Sequence, residues 1–342
     1  MIIFRVDANS MIGRGHMMRC ISIATTIKMN GGKVLFVTRE DSETEILDSR
    51  FMEYVTVPSE QLCSSEAINK LKKIIAENDS SVCVVDSYDV SNEAFDSLRE
   101  ICKVILVEDI LYDVYDVDCI VNYNIYAEKM KYSEKYSSKT ELLLGMDYAP
   151  IRQEFVNTIN KRQKNGEINT ILVTTGGSDP EELAPGIVDS LLDCVDDNVR
   201  LRVVTTKNSP TRDILYKMSN SCSQIVIEQD VQNMAKLMSM CDIAVSAAGS
   251  TCYELMSMGI PTCVFSFVHN QDMILETLVE RDLMMYGGNF LKSPTKFYGD
   301  LVFGVKKLMK EEIREKLLEN IAELNIGIGA ENLAKAIMKY DK

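Results

Sequence analysis

Several short segments of this chain set glycine turns beside side chains that can do chemistry, and each directly follows an apolar run. The first runs from Asp7 to Gly13-Arg14-Gly15-His16. Two glycines let the backbone turn tightly and approach a ligand. A helix starting there offers free N–H groups to an anion. The segment is not the GxGxxG dinucleotide fingerprint, because no third glycine follows. His16 stands at the helix start, on the crevice side rather than the core side. An imidazole titrates near neutrality and can act as a general base; a helix-terminal histidine bonded to backbone is the competing reading. The second segment, Thr174-Thr-Gly176-Gly177-Ser178-Asp179-Pro180, pairs free amides for a phosphate with Asp179 as an N-cap ahead of a proline at the first helical position. The third is Ser246-Ala-Ala-Gly249-Ser250-Thr251-Cys-Tyr-Glu254. Its helix start and two hydroxyls suit a pyrophosphate, and Glu254, one turn on, is spaced to accept from the vicinal hydroxyls of a ribose. The fourth, His269-Asn270-Gln271-Asp272, supplies amide side chains for sugar hydroxyls and N-acetyl groups. Asp86-Ser87-Tyr88 and the Asn122–Tyr126 run also follow strand-like segments. Asp116-Val-Asp118 has the form of a metal-binding DxD but lies in an Asp/Tyr run without supporting ligands, so no metal site is expected.

These segments need elements to hold them, and the pattern supplies a repeating one. Short β-branched runs at Ile2–Val6, Lys33–Thr38, Val82–Asp86, Val104–Val107, Cys119–Asn122 and Leu142–Leu144 alternate with helical patterns. The alternation restarts after a polar helix at Ile151–Gln163, with strands at Thr170–Thr174, Leu201–Thr205, Gln224–Ile227, Ile243–Ser246 and Thr262–Phe265. Helices are expected at Glu181–Cys194 and from Lys306 to Tyr340, the latter broken near Gly327–Gly329. Such alternation implies parallel sheets built from crossover units. Two Rossmann-like α/β domains follow, at 1–150 and 151–325, with a final helix at 326–342 that can pack back on the first domain. In open parallel sheets ligands bind beyond the carboxyl ends of the strands, which is where the motifs fall.

Composition narrows the function. The chain has 342 residues, 51 Asp+Glu against 37 Lys+Arg and a net charge of −14, which disfavours nucleic acid and anionic membrane as partners. Only 2 histidines, His16 and His269, exclude three-histidine zinc sites. Arg5 and Asp7 interrupt the apolar N-terminus, so no signal-peptide core is expected. Ten scattered cysteines without a CxxC pair suggest a reducing cytoplasm.

Taken together the motifs resemble the UDP-sugar hydrolase family of pseudaminic-acid biosynthesis, the PseG/SpsG group, which is related to MurG-like GT-B glycosyltransferases. The resemblance runs from Phe4 to about Asp282 through FRxD(x)₅GxGH at Phe4–His16, DxY at Asp86–Tyr88 and VNxNxYA at Val121–Ala127. It continues through GxxYAxxRxEF at Gly145–Phe155, GGSDP at Gly176–Pro180, GSTxxE at Gly249–Glu254 and NQ at Asn270–Gln271. It implies a GT-B fold, two Rossmann-like domains facing each other across a cleft. It implies metal-independent hydrolysis of UDP-2,4-diacetamido-2,4,6-trideoxy-β-L-altropyranose to UDP and free sugar with inversion, without a cofactor. By motif, His16 is the base that activates water; Arg5, Asp7, Gly15, Tyr88, Asn122, Asn270 and Gln271 fall at the sugar. Gly176, Gly177, Ser178, Gly249, Ser250, Thr251 and Glu254, with a backbone amide at Val231, fall at UDP. Two departures, Ser87 where many members have His and Ser178 where Thr is common, bear on the sugar's identity. The expected partner is a small-molecule UDP-sugar, with a monomer favoured. The alternatives are an inverting GT-B glycosyltransferase using a UDP-sugar donor and a nucleotide-sugar-binding protein without catalysis.

Overall fold

The computed structural model describes residues 1–9, 12, 14–58, 64–111, 113–156, 166–176, 179 and 181–341. The chain divides into two compact units, residues 1–152 with 327–342, and residues 153–326.

Unit 1 holds β1 (Ile2–Val6), β2 (Val34–Arg39), β3 (Tyr54–Val57), β4 (Val82–Asp86), β5 (Lys103–Val107), β6 (Cys119–Asn122) and β7 (Glu141–Leu144). They form one sheet in the order β3-β2-β1-β4-β5-β6-β7, every neighbouring pair parallel. β1 and β4 are buried at every residue. That is why they read as nearly continuous apolar runs, broken only by Arg5 and by the terminal Asp86, rather than alternating ones. Ile3, Val37, Val85 and Leu106 pack with Phe95 and Leu98 of the helix Asn92–Arg99 into the unit's core. Ser91 caps that helix by accepting from the Ala94 amide.

Unit 2 holds β8 (Thr170–Thr174), β9 (Arg200–Thr205), β10 (Ile225–Gln229), β11 (Ile243–Ala247), β12 (Thr262–Ser266) and β13 (Met285–Asn289), also all parallel, in the order β10-β9-β8-β11-β12-β13. In each sheet the order reverses at one place, between β1 and β4 and between β8 and β11. The crevice beyond the strand ends at such a reversal is the natural ligand position.

Four details differ from the sequence expectation. β3 and β13 were not anticipated. The helix Pro294–Leu308 starts well before Lys306, with its proline in the first turn. The helix after β8 starts at Leu183 rather than Glu181, because Asp179 caps it from outside: its two oxygens accept from the Leu183 and Ala184 amides at 2.9 and 3.0 Å. Of the helix expected at Ile151–Gln163, Ile151 and Arg152 are not helical, Gln153–Val156 is, and residues 157–163 lie outside the described residues. The last helix, Gly329–Met338, packs on the helix Gly15–Met29 in unit 1, where Gly329 abuts the Ala149 backbone.

Candidate functional site

The parallel register of unit 1 brings the carboxyl ends of β1, β4, β5 and β6 side by side, with Val6 opposite Asp86. Asp7, Asp86, Asp109 and Tyr123 therefore gather at one edge of the sheet. The helix Gly15–Met29, entering after β1, adds His16 and Arg19 one turn apart. Helical spacing puts positions i and i+3 on one face.

His16 and Arg19 both lean on Asp86. His16 Nδ1 lies 2.6 Å from Asp86 Oδ1, Arg19 Nε 2.6 Å from Oδ2 and Arg19 Nη2 2.6 Å from Oδ1. Burial alone would raise the Asp86 carboxyl, but Arg19 and then His16 outweigh it and hold it well below the usual carboxylate range. Burial likewise opposes the Arg19 charge, and Asp86 with Asp109 more than restores it. The ionised carboxylate settles the imidazole tautomer. Two acceptors at 2.6 Å need a hydrogen between them, and the carboxylate has none, so Nδ1–H donates to Asp86. Arg19 Nη2, 2.9 Å from Nδ1, then directs its hydrogen at Asp86 Oδ1 instead. The lone pair of His16 is left on Nε2. A histidine oriented by a carboxylate in this way is a general-base arrangement.

A second chain of bonds holds Tyr88. Its hydroxyl donates to Asp109 Oδ1 at 2.6 Å, and Asp109 Oδ2 accepts from Arg19 Nη1 at 3.2 Å. Burial, then Asp109, push the Tyr88 phenol far above its ordinary 10, so it keeps its proton. The Tyr88 and His16 rings meet edge to face, centroids 4.9 Å apart. An opening is lined by Asp7, Ile12, His16 and Asp86 through Asp89.

The arginines around this opening each lie beside a carboxylate, with Arg39 Nε making no hydrogen bond. Arg5 Nη1 donates to Asp7 Oδ1 at 2.6 Å, Arg39 Nε lies 3.4 Å from Asp7 Oδ2, and Arg14 Nε donates to Glu43 at 2.6 Å. With Arg19 on Asp86, each faces a carboxylate, so this edge suits an uncharged group better than a phosphate. Arg5 sits beneath Asp7 as its support, and Gly15 is an exposed first residue of its helix. Asn122 is fully buried and bonds the Tyr132 hydroxyl and Asn124, bracing the loop after β6 instead of lining the opening.

In unit 2 the turns after β8 and β11 are neighbours, because Thr174 pairs with Ser246. Gly176 has φ +86, a left-handed conformation that favours glycine, and its amide donates to Thr174 Oγ1. Gly177 and Ser178, like Gly13, lie outside the described residues. Gly249 precedes the helix Ser250–Ser257 in extended backbone with no side-chain cap. Ser250 is exposed, Thr251 and Glu254 are half-buried, and Asn270 and Gln271 follow β12, the next strand. Gln271 Oε1 accepts from the Phe267 amide, which fixes its own loop. Val231 follows the end of β10, the far edge strand. His269 is exposed, 3.8 Å from Asp272. Asp116 and Asp118, the DxD pair, are bound to Arg99 and Lys103.

Sequence reading did not single out Asp86 as the partner of His16, nor Arg19, Asp109 or Tyr123. One signal was present: Asp86 and Asp109 are acidic residues at or just past the ends of buried apolar strands, where a charge needs a partner.

No family model matches the chain. It is 27% identical over 75% of its length to an uncharacterized protein of Methanocaldococcus jannaschii, and it spans 54%, about half, of that relative. It is 25% identical over 79% of its length, and 93% of the relative, to a Campylobacter jejuni protein named UDP-2,4-diacetamido-2,4,6-trideoxy-beta-L-altropyranose hydrolase. It is 23% identical over 79% of its length, and 78% of the relative, to Bacillus subtilis spore coat polysaccharide biosynthesis protein SpsG. Among solved structures, Acinetobacter baumannii MurG matches at TM-score 0.68 and 11% identity over 99% of both chains. S. aureus MnaA, solved with UDP, matches at TM-score 0.68 and 14% identity over 99% of this chain and 97% of that one. The fold is GT-B.

Proposed function

We propose that this chain hydrolyses a UDP-linked diacetamido-trideoxy hexose, of the kind named for its Campylobacter relative, to UDP and the free sugar with inversion at C1. The observation that carries the reading is the His16–Asp86 pair at 2.6 Å, which leaves Nε2 as a base at the mouth of unit 1. Water attacks the anomeric carbon and gives its proton to Nε2. The C1–oxygen bond breaks and its electron pair leaves with the diphosphate. Asp86 stabilises the imidazolium that forms, and such a base supplies roughly 10²–10⁴-fold.

Unit 2 supplies the diphosphate contacts. Gly176, Gly177, Ser178, Gly249, Ser250 and Thr251 are assigned to the leaving group, and the start of the Ser250–Ser257 helix, which has no side-chain cap, offers it backbone amides as its charge grows. Glu254 takes the ribose hydroxyls, and the Val231 amide takes the uracil. Tyr88, Asn270 and Gln271 contact the sugar, and Arg5, Asp7, Gly15 and Asn122 shape and support that contact. The product belongs to nonulosonic-acid biosynthesis of the pseudaminic type. None of the described cysteines forms a disulfide, in keeping with a reducing cytoplasm. No helix among the described residues is long and apolar enough to cross a membrane.

Incubation with UDP-2,4-diacetamido-2,4,6-trideoxy-β-L-altropyranose and no acceptor tests the proposal. Stoichiometric free sugar and UDP are expected. Turnover only when a sugar or lipid acceptor is added would replace hydrolysis by glycosyl transfer.

A further inference from the structure

Tyr88 is the exposed aromatic of the opening, with 46% of its surface accessible, yet its hydroxyl hydrogen is already used. The acceptor, Asp109, is held at both ends: Arg19 Nη1 bonds the carboxylate at 3.2 Å and the Tyr126 hydroxyl bonds the Asp109 carbonyl at 2.8 Å. The His16 ring fixes the Tyr88 ring from the side. A phenol hydroxyl with its hydrogen committed can hydrogen-bond a ligand only through its oxygen lone pairs. The same opening is lined by Asp7, Asp86 and Asp89, also acceptors, while Arg5 and Arg19 are hydrogen-bonded to carboxylates and Arg39 lies 3.4 Å from Asp7 and 3.6 Å from Asp89 with its Nε buried.

We infer that Asp109 is a positioning residue that makes Tyr88 a hydrogen-bond acceptor, so that unit 1 selects sugars presenting an N–H or O–H donor and rejects sugars carrying a carboxylate. The inference rests on the UDP-sugar reading above and adds a polarity to it. An acetamido N–H fits such a site; a hexuronate brings a charge and further acceptors to an opening whose own cations already face Asp7, Asp86 and Asp89. A buried acceptor left facing another acceptor is unmatched, and discrimination of this kind exceeds what shape alone provides.

The test measures equilibrium binding of UDP, UDP-N-acetylglucosamine, UDP-glucose and UDP-glucuronate to the full chain and to Tyr88→Phe, Asp109→Leu, Asp109→Asn and the Tyr88→Phe/Asp109→Leu double variant. Unchanged UDP affinity certifies that each variant is folded. The wild type is expected to bind UDP-N-acetylglucosamine more tightly than UDP, and UDP-glucuronate at least roughly tenfold more weakly than UDP-glucose. Tyr88→Phe and Asp109→Leu should each erase most of the sugar's contribution, about five- to tenfold. The double variant should be no worse than Tyr88→Phe, because the two act through one contact. Asp109→Asn retains an acceptor oxygen for Tyr88 and should lose less than Asp109→Leu. Additive losses, an Asp109→Leu variant with full sugar affinity, or equal binding of UDP-glucuronate and UDP-glucose would each overturn the inference. Failure of the hydrolase reading shows differently: the polarity holds in binding, but no UDP-diacetamido hexose is turned over.

Discussion

Glu108 gives the account a quantitative handle on unit 1. It directly follows β5, is only 6% exposed, and its Oε1 has no hydrogen-bond partner. Burial, with a further push from Asp109, raises its carboxyl from the ordinary 4.5 to about 7, Tyr132 and Lys135 pulling the other way. Below about pH 4.5 the folded and unfolded chains both carry the proton. Above it the unfolded chain ionises first, while the folded chain keeps the proton to about 7. The unfolded state then binds fewer protons, so stability falls as pH rises through this window and levels off above it. At ~1.4 kcal/mol per pH unit the gap amounts to about 3 kcal/mol. Glu108→Gln removes the ionisation while keeping the shape. Urea denaturation followed by far-ultraviolet circular dichroism at pH 5, 6, 7 and 8 should show the variant gaining on the wild type by up to ~3 kcal/mol between pH 5 and 8. Parallel pH profiles for the two proteins would refute the reasoning, because they would mean that Glu108 is as well solvated folded as unfolded.

Other perturbations separate chemistry, binding and stability. Asp86→Asn keeps an acceptor near His16 but removes the charge that fixes its tautomer; kcat should fall roughly 10²–10⁴-fold with UDP affinity unchanged, measured by steady-state release of UDP. Gly249 sits in extended backbone that any residue adopts, and an added Cβ would meet no protein atom within 4 Å. Gly249→Ala should therefore melt like the wild type yet lose roughly tenfold in UDP affinity by calorimetry, because the methyl group occupies the approach to the diphosphate. At Gly329 an added Cβ would lie 2.2 Å from the Ala149 carbonyl oxygen. Gly329→Ala should cost about 1–3 kcal/mol in a denaturation experiment by forcing the last helix off unit 1.

The strands that build the site were legible because they are buried on both faces. β1, β4 and β11 are apolar throughout or nearly so, and a run of that kind has few other uses. β3 was not: it is an edge strand, and Val55 and Thr56 are exposed, so no apolar stretch marks it. β13 was hidden by Gly287 and Gly288. There the backbone passes so close to β12 that a Cβ on Gly287 would lie 2.7 Å from Cys263 Sγ. The glycine turns and His16 were visible as residue types in strand-to-helix positions. The network that orients His16 was not, since Arg19 bonds Asp86 and Asp109 at sequence separations of 67 and 90 residues. Only the parallel register of β1, β4 and β5 brings those partners together.

The central claim is that His16 Nε2 activates water against the anomeric carbon. Proton NMR of the acceptor-free reaction, run in parallel on the wild type and His16→Ala at matched saturation with the UDP-sugar, tests it most directly. The account predicts that the wild type first releases the anomer inverted relative to the UDP-sugar, and that His16→Ala releases it at least about 10²-fold more slowly. Comparable rates in the two proteins, or a first product with retained configuration, would contradict it.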